Sequence, residues 1–480
     1  MSVSREVHLG AGGPPLGNPP QKFAEFALSI ALVIAVFQFQ EVLPFAPLSL
    51  WWLLLAIPAL LGAPNPRWPA VAALTLALAN VVVSFWSLIP LEAIRMSANF
   101  VGLSVSAALT ARILKGSLLN LSRPLAIAAP ALAIQSGLTI LFFMRPDIEQ
   151  LYFDWQYSTY FSGAGVKLLF TTGFNNVVFP EKSGGFFLNG NTASMFMAMS
   201  AWLYFGLGAR TNRKWMMWFS LVPFVGAIGT GSKTALLLAG TSVLVVALLT
   251  VVRKSIIAGA AVAMLLPLVG LFALSALSSA QAFSQDTSNT VGSRGRIWEL
   301  AAAAISRNSV TGLGYGGWRE YFRQEGGFIG FDERPAHNFL IQAWLDGGIV
   351  YLALISMFAI VSVGSGLVAV RRASGVRDAL ASASVLMSVT WVFVHGLADN
   401  TWVYGDWHSL PFFGVALTIL ASWSASPTLE PRSGSASEAV QSAQAKNTHA
   451  PDGRDTSGIK RSQSRTCGED CPFEHQTVSG

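Results

Sequence analysis

Long apolar stretches alternate with short polar connections along most of this chain. Each stretch carries few charges and reaches the roughly 20 residues that a helix needs to cross the hydrocarbon core of a bilayer. Hydrophobic residues make up 52% of the 480 positions and charged residues only 12%, a balance typical of helices that lie in lipid. The pattern predicts an all-α, polytopic membrane bundle of about twelve transmembrane helices, near residues 22–44, 47–64, 69–90, 96–114, 123–144, 189–208, 214–230, 233–252, 255–277, 339–369, 378–398 and 408–424. The stretch 339–369 is long enough for a surface helix followed by a span.

The basic residues of the short connections follow this alternation. If the N-terminus is cytoplasmic, every second connection lies inside, and those connections hold Arg67, Arg112, Lys115, Arg123, Arg210, Arg213, Lys214, Arg253, Lys254, Arg371, Arg372 and Arg377. Cytoplasmic loops of membrane proteins are enriched in Lys and Arg. The net charge of +6 therefore reflects topology and gives no reason to expect a nucleic-acid partner.

The same assignment places two long connections outside, at about 145–188 and 278–338, and connections of this length usually carry function or disorder. We expect a cytoplasmic arm at 1–21, a transmembrane domain at 22–424 and a disordered cytoplasmic tail at 425–480. The tail is rich in Ser, Ala, Gln, Asp and Gly, a composition typical of disordered segments. No small-residue cleavage site precedes the first span, so we expect no cleavable signal peptide.

Three short motifs suggest nucleotide or metal sites but lack essential parts. GAIGTGSKT at 226–234 has an extra Ser232 in the phosphate-loop spacing, and apolar helices flank it where a strand and a helix are needed. GLGYGG at 312–317 has no βαβ pattern around it and is more typical of a tight turn in an external loop. Cys467 and Cys471 lie in the tail without a complete set of zinc ligands. The sequence therefore predicts no cofactor and no metal.

Cations on the predicted outer side are unusual because short connections otherwise keep positive charge inside. Lys233 lies in a very short outer turn between two spans. The loop at 278–338 holds Arg294, Arg296, Arg319, Arg323 and Arg334. Ionisable groups at the membrane boundary are costly and are functional candidates by default. The alternative is that Lys233 extends its ammonium group to solvent and that the loop arginines are simply solvated.

Three of the six histidines, His337, His395 and His408, fall at the outer ends of predicted spans or in an outer loop. An isolated histidine is more often structural than catalytic, but three on one side of the membrane favour a role in proton transfer. His337 is notable because it stands where a polar stretch meets the long apolar run that starts at Phe339.

Cations and a histidine at the outer surface fit a lipid-linked diphosphate sugar as substrate. Guanidinium groups bind a diphosphate through paired hydrogen bonds and can stabilise it as it departs. A neutral His337 could take the proton from an acceptor hydroxyl as that oxygen attacks the anomeric carbon. Since no Asp-x-Asp pair or His/Cys cluster accompanies these residues, the sequence gives no argument for a metal.

The run SRGRIWELAAAAISRNSVTGLGYGGW, followed after a gap by AHNFLIQAWLDGGIVYLAL, resembles the signature of the O-antigen ligase and polymerase superfamily. In that signature an arginine precedes a helix that contains a tryptophan, and a G-x-G turn follows. A His-Asn pair then begins an amphipathic helix that ends in a glycine pair. The stretches GTGSKTALLLAG and FLNGNTASMFMAM are similar to two further segments of the family. The resemblance covers about residues 185–370.

This resemblance implies a glycosyltransferase of the GT-C type in the bacterial inner membrane, with its active site facing the periplasm and membrane lipids around its spans. The donor would be a glycan linked to undecaprenyl diphosphate. The acceptor would be lipid A-core in a ligase, or another lipid-linked glycan in a polymerase. No cofactor, metal or nucleic acid is implied.

The resemblance also assigns roles to residues. His337 would be the general base, and the donor diphosphate would contact Arg294, Lys233 and, if the register is shifted by two residues, Arg296. The residues that would orient His337 or contact the acceptor are Asn338, Arg334 and Gln342. The family commonly has an arginine at the position of Lys233, and lysine lacks the forked geometry of a guanidinium, so we expect a weaker second phosphate contact here.

Alternatives remain at two levels. Within the superfamily, ligase and polymerase differ only in the acceptor, and the single substantial loop at 278–338 favours a ligase. Outside it, a transporter of lipid-linked glycans would have a similar number of spans, but it predicts internal repeats and charges near the bilayer midplane. A purely structural membrane scaffold would not need the external His and Arg residues.

Overall fold

The computed structural model describes residues 19–37, 59, 67–163, 165–169, 177–178, 182–262, 264, 284–325, 335–398 and 408–425. The regular elements among these residues are helices, as the hydropathy pattern predicted. Two are short 3-10 helices, at Ser84–Trp86 and Leu118–Leu121, and the others are α-helices. They are α1 (Pro19–Phe37), α2 (Trp68–Val83), α3 (Pro90–Gly116), α4 (Ser122–Met144), α5 (Pro146–Asp154), α6 (Ser158–Ser162), α7 (Val166–Leu169), α8 (Gly190–Thr211), α9 (Lys214–Phe219), α10 (Leu221–Ile228), α11 (Lys233–Val251), α12 (Ser284–Arg307), α13 (Gly317–Glu325), α14 (Phe339–Arg371), α15 (Val376–Ala398) and α16 (Ser409–Ala425).

Among the described residues, seven helical segments are long and apolar enough to cross a membrane: Pro20–Phe37, Trp68–Trp86, Pro90–Lys115, Leu118–Met144, Lys233–Val251, Phe339–Arg371 and Val376–Ala398. Lys214–Ile228 and Ser409–Ala425 are shorter apolar helices. The chain is therefore a multi-pass membrane protein. Most of the spans expected near 47–64 and 255–277 lies outside the described residues, as do the arm at 1–18 and the tail from 426, so the total of about twelve spans stays a prediction.

The interior of the bundle is formed by α8, α15 and α16. Almost the whole circumference of α8 is buried, and α15 packs along it with Trp391 fully enclosed. Peripheral helices such as α2 and α14 instead expose large apolar side chains on one side, for example Leu78 and Ile360. An extended apolar surface of this kind is suited to contact with lipid.

Small residues allow the central helices to approach closely. A Cβ atom on Gly206 of α8 would lie 2.9 Å from the carbonyl oxygen of Ala381 in α15. The hydroxyl of Ser388 in α15 donates to the carbonyl of Met199 in α8 at 2.8 Å. Close backbone approach and hydrogen bonds between helices replace the hydrophobic driving force that lipid does not provide.

The two helices run antiparallel. Arg210 in the last turn of α8 forms an ion pair with Asp378 in the first turn of α15, and Nε of Arg377 donates to the carbonyl of Ala209 at 2.6 Å. At the opposite end of the bundle, the start of α8 therefore lies beside the end of α15, and the candidate residues of α11 and α14 lie there too.

A glycine divides α14 into two parts. Gly348 has φ 69° and ψ −166°, a backbone conformation that is essentially restricted to glycine. The first part, residues 339–347, packs against α12 and α13, whereas the second part continues to Arg371 in a run apolar enough to cross a membrane. The break divides the long stretch in two, while the expectation of a surface helix followed by a span stays a prediction.

Candidate functional site

The segment predicted as an external loop at 278–338 contains helices with a small hydrophobic core of their own. Side chains from α12, α13, the first part of α14 and Ala336 before it meet in a cluster that we call the external module, after its predicted side of the membrane. They are Ile297, Ala301, Ala304, Trp318, Phe322, Ala336 and Leu345. The rings of Trp318 and Phe322 lie 5.5 Å apart between centroids. The candidate residues of α12 and α14 are therefore held on packed helices, which fix side-chain positions better than an irregular loop does.

The glycine-rich stretch 312–317 is the predicted tight turn, with positive φ at Gly312, Gly314 and Gly316. It joins the external module to the break in α14. The backbone N–H groups of Leu313 and Gly314 donate to the carbonyls of Leu345 and Asp346, at 2.5 and 3.0 Å. A side chain at Gly312 would lie 2.6 Å from the backbone nitrogen of Gly348, so glycine is required for this close approach.

The same turn is attached to the connection between α2 and α3. The carbonyl of Tyr315 accepts from the backbone N–H of Ile89 at 3.0 Å, and its N–H donates to the hydroxyl of Ser87 at 2.9 Å. The phenol groups of Tyr315 and Tyr351 both donate to the side-chain oxygen of Asn80, a fully buried residue of α2. These bonds fix the external module against the membrane-spanning part of the bundle.

Ala336, which precedes His337, is held by two side chains. The indole N–H of Trp298 in α12 donates to the Ala336 carbonyl at 2.9 Å. The side-chain oxygen of Gln342 accepts from the Ala336 N–H at 3.0 Å. Because Ala336 is fully buried, both of its backbone groups need such partners.

His337 has a φ of 51°, in the left-handed region that residues other than glycine adopt at a cost. Its side chain is half-buried. Asn338 follows as the N-cap of α14, and its side-chain oxygen accepts from the N–H groups of Leu340 and Ile341 at 3.0 and 3.2 Å. The turn at His337 is thus held between the fixed Ala336 and a capped helix start.

Asn338 also connects α14 to the end of α15, because its amide donates to the carbonyl of Leu397 at 3.1 Å. Two residues before Leu397, Nε2 of His395 lies 3.4 Å from the hydroxyl of Ser194 in α8. That hydroxyl donates to the carbonyl of Asn191 in the first turn of α8. A continuous set of contacts therefore runs from the turn at His337 to the start of α8.

The start of α11, with Lys233, joins this group. Ser232 is the N-cap of α11 and accepts from the N–H of Ala235, while its hydroxyl donates to the side-chain oxygen of Asn191 at 2.9 Å. Lys233 is half-buried in the first turn. The starts of α8, α11 and α14 and the end of α15 thus meet at one end of the bundle.

Arginines 294 and 296 face different directions on α12. Arg294 is half-buried and lies one helical turn before Trp298, on the face that contacts Ala336. Arg296 is exposed, with Nη1 3.8 Å from a carboxylate oxygen of Glu299. The third candidate, Arg334, lies outside the described residues.

The other two outer histidines are both buried, at 1% exposure. His395 faces Ser194, as described above, and the ring of His408 packs edge-on against Phe187 with 5.4 Å between centroids. Their enclosure favours structural roles over the proton transfer that the sequence left open for them.

The connection at 145–188, which was predicted to be external, is anchored by Glu149 of α5. Its two carboxylate oxygens accept from the N–H groups of Val178 and Gly184 at 2.8 and 3.1 Å. Burial raises the pKa of Glu149, and the two N–H donors oppose that shift. Beyond this anchor, the N–H of Ser183 donates to the carbonyl of Thr230, which places the stretch before α8 against the turn that precedes Lys233.

Four residues of this arrangement were not assigned a role from the sequence: Asn191, Ser194, Trp298 and Asp346. The start of α8 itself was predicted by the span at 189–208, and Asn189 is its N-cap, a position that Asn prefers. The contact between Asn191 and Ser232 has no local signal because 41 positions separate the two residues. Among the described residues, no group of three or more His, Cys, Asp or Glu side chains is arranged to hold a metal ion.

The model of the O-antigen ligase family (Wzy_C) matches residues 218–356. The chain carries an O-antigen ligase domain. The matched residues include the external module and the start of α11, and hence Lys233, Arg294 and His337, while α8 and α15 lie outside the matched range. No curated protein matches the chain significantly.

The superfamily recognised from the sequence is thereby confirmed. The family match supports an O-antigen ligase or polymerase-like function for this multi-pass chain, of the glycosyltransferase type, with lipid-linked glycans in general as substrates.

Proposed function

We propose that the chain transfers a glycan from undecaprenyl diphosphate to a hydroxyl group of lipid A-core, at the periplasmic face of the bacterial inner membrane. His337 acts as the general base, and Arg294 and Lys233 bind the donor diphosphate. The reaction needs no cofactor or metal in this proposal.

The observation that supports it most directly is the backbone of His337. A left-handed conformation at a residue other than glycine costs free energy, and such strain persists where the surroundings maintain it, often at functional sites. Here Trp298, Gln342 and the cap of α14 maintain it. The backbone that carries the imidazole is therefore fixed at the start of α14, and we assign this position to the level of the lipid-linked diphosphate.

In the proposed reaction, the acceptor hydroxyl loses its proton to the imidazole of His337 while its oxygen attacks the anomeric carbon of the donor sugar. The bond between that carbon and the diphosphate oxygen breaks, and its electron pair leaves with undecaprenyl diphosphate. The products are the glycosylated acceptor and undecaprenyl diphosphate. The proton on His337 passes to solvent before the next turnover.

Cations stabilise the negative charge that grows on the departing diphosphate. We assign the bidentate contact to Arg294, whose side chain shares a helix face with Trp298, and a single contact to Lys233. Arg296 is the weaker candidate for the first contact, because it is exposed and faces Glu299.

The acceptor distinguishes the ligase from the alternative, a repeat-unit polymerase. We favour the ligase because one folded external module carries the motif, which offers a single defined surface to an acceptor. The test is a deletion strain whose surface glycans are separated on a gel. A ligase predicts loss of all capped lipopolysaccharide while long lipid-linked chains accumulate, whereas products with a single repeat unit would identify a polymerase.

An assay of purified protein in detergent distinguishes a transporter of lipid-linked glycans from both the ligase and the polymerase. A transferase releases undecaprenyl diphosphate when donor and acceptor are added. A transporter leaves the donor bond intact, and that result would overturn the proposal.

A further inference from the structure

Asp346 lies at the end of the first part of α14, and it is 2% exposed. We infer that Asp346 and Gln342 are positioning residues for the proposed base, with Asp346 fixing the direction of the Gln342 amide and Gln342 fixing Ala336 and hence His337. This inference rests on the proposed function, since it concerns how His337 is held. Neither Asp346 nor Gln342 needs to contact the substrate.

Two hydrogen bonds in series connect these residues. Oδ1 of Asp346 accepts from Nε2 of Gln342 at 3.0 Å, and Oε1 of Gln342 accepts from the N–H of Ala336 at 3.0 Å. Gln342 is 7% exposed and Ala336 is fully buried, so water cannot readily replace either bond.

The hydrogen bond with Asp346 determines which way the Gln342 amide points. The oxygen and nitrogen ends of an amide have nearly the same shape, so packing alone hardly distinguishes the two orientations. Oδ1 of Asp346 accepts in this pair, so Gln342 turns its NH₂ group toward Asp346. Its oxygen is then left for the N–H of Ala336. The reverse orientation would place NH₂ against N–H and oxygen against carboxylate, and both bonds would be lost.

Asp346 is itself fixed from the other side. Its backbone carbonyl accepts from the N–H of Gly314 in the glycine turn at 3.0 Å. On the far side of Ala336, the indole of Trp298 holds the carbonyl, so both backbone groups of Ala336 are occupied. The next residue in the chain is His337, at φ 51°. The glycine turn, α12 and α14 thus act together on the backbone that carries the base.

The decisive variant exchanges the amide and the carboxylate between positions 342 and 346. With Gln342→Glu and Asp346→Asn combined, the shapes and the net charge are unchanged. The carboxylate introduced at 342 can accept from the amide introduced at 346 and from the N–H of Ala336, so both bonds re-form. The comparison is Gln342→Met, which keeps the length of the side chain and removes both bonds.

A matched control is Gln135→Met in α4. Gln135 is also fully buried and also braces two backbone groups, because its amide donates to the carbonyl of Gly184 at 2.7 Å and accepts from the N–H of Phe186 at 2.9 Å. Its loss should lower thermal stability about as much as the loss of Gln342. The turnover number of the folded protein should change far less, since the site at Ala336 is untouched.

The measurement is steady-state transfer by purified protein, with thermal stability followed alongside. We expect Gln342→Met to lower kcat by about a hundredfold with little change in KM, the scale that follows a small displacement of a catalytic group. The double variant should recover most of that loss and should melt near the wild-type temperature. A double variant as inactive as Gln342→Met, or one that fails to fold, would overturn the inference.

The outcome for His337 itself separates this inference from the proposed function. If replacing His337 abolishes transfer and Gln342→Met does not, the base stands and the positioning role is wrong. If replacing His337 leaves transfer intact, the general-base role of His337 in the proposed function is wrong, whatever Gln342 does.

Discussion

The hydroxyl of Ser232 donates to the side-chain oxygen of Asn191 at 2.9 Å, which joins the start of α11 to the start of α8. Ser232 at the same time caps α11, and Lys233 is the next residue. A phosphate-loop reading of this stretch is excluded by the structure, because α10 and α11 flank the turn where a strand would be required. The bond instead connects the helix start that carries Lys233 to a second helix.

Asn191→Ala should weaken donor binding. The change removes the acceptor for Ser232 but leaves the cap of α11, so Lys233 remains on a helix that is less well fixed. A neutral hydrogen bond contributes about 1 kcal/mol, which corresponds to a rise in the donor KM of about fivefold with kcat little changed. Ser255→Ala is the control, because it removes a similar bond to the N–H of Ala258 beyond the other end of α11. An unchanged donor KM in Asn191→Ala would show that this bond does not place Lys233.

The two arginines of α12 should differ sharply. Arg294→Ala should abolish transfer without loss of expression, because Arg294 shares a face with Trp298 and is assigned to the diphosphate. Arg294→Lys should restore activity only in part, since the forked geometry is lost. Arg296→Ala, two residues away on the exposed side, is the matched control and should stay active. Equal losses in both alanine variants would contradict this assignment of the contact.

Gly348→Ala should prevent normal folding of the site. A Cβ atom there would lie 1.9 Å from the carbonyl oxygen of Val310, and the backbone conformation alone costs an L-residue about 1–3 kcal/mol. Gly364→Ala in the same helix has open space around the new atom and should be neutral or stabilising by about 0.5–1 kcal/mol. Thermal melting in detergent measures both. A normal melting temperature in Gly348→Ala would show that the break in α14 is not required.

The proposed topology places the external module outside the inner membrane. In a variant without Cys467 and Cys471, a cysteine introduced at the exposed Gln324 of α13 should react with an impermeant maleimide in intact spheroplasts. One introduced at the exposed Lys214, at the start of α9, should react only after the membrane is broken. The opposite pattern of labelling would reverse the topology.

Much of the fold could be predicted from the sequence because lipid imposes a simple rule. Backbone polar groups in a bilayer must be bonded within the segment, so long apolar runs become helices. The glycine turn at 312–317 and the division of α14 were also predictable, since each depends on local glycines and on a change from polar to apolar residues. The helical packing inside 278–338 was harder to foresee. There the apolar side chains of α12 and α13 pack in a small core together with the first part of α14, which comes later in the chain.

The candidate site was predictable where a residue type is unusual for its place. His337 and Lys233 stood out as polar groups beside apolar runs, and Asn338 as a helix start. Trp298 and Asp346 did not, because their roles arise from contacts with Ala336 and Gln342 that no local pattern shows. The separation of Arg294 from Arg296 also needed the structure, since only the helix phase of α12 assigns them to different faces.

The most direct test concerns His337, through variants that preserve its unusual backbone. Asn adopts the left-handed region at a lower cost than most residues do. Gly has no strain there, which stabilises the folded state by about 1 kcal/mol and offsets the greater conformational freedom that Gly has in the unfolded chain. Purified His337→Asn and His337→Gly proteins should therefore melt no lower than the wild type. The measurement is the rate of glycan transfer from undecaprenyl diphosphate by these two proteins. Removal of a general base predicts a loss of about two to four orders of magnitude in both, with thermal stability retained. Transfer near the wild-type rate in either variant would contradict the assignment of His337 as the base.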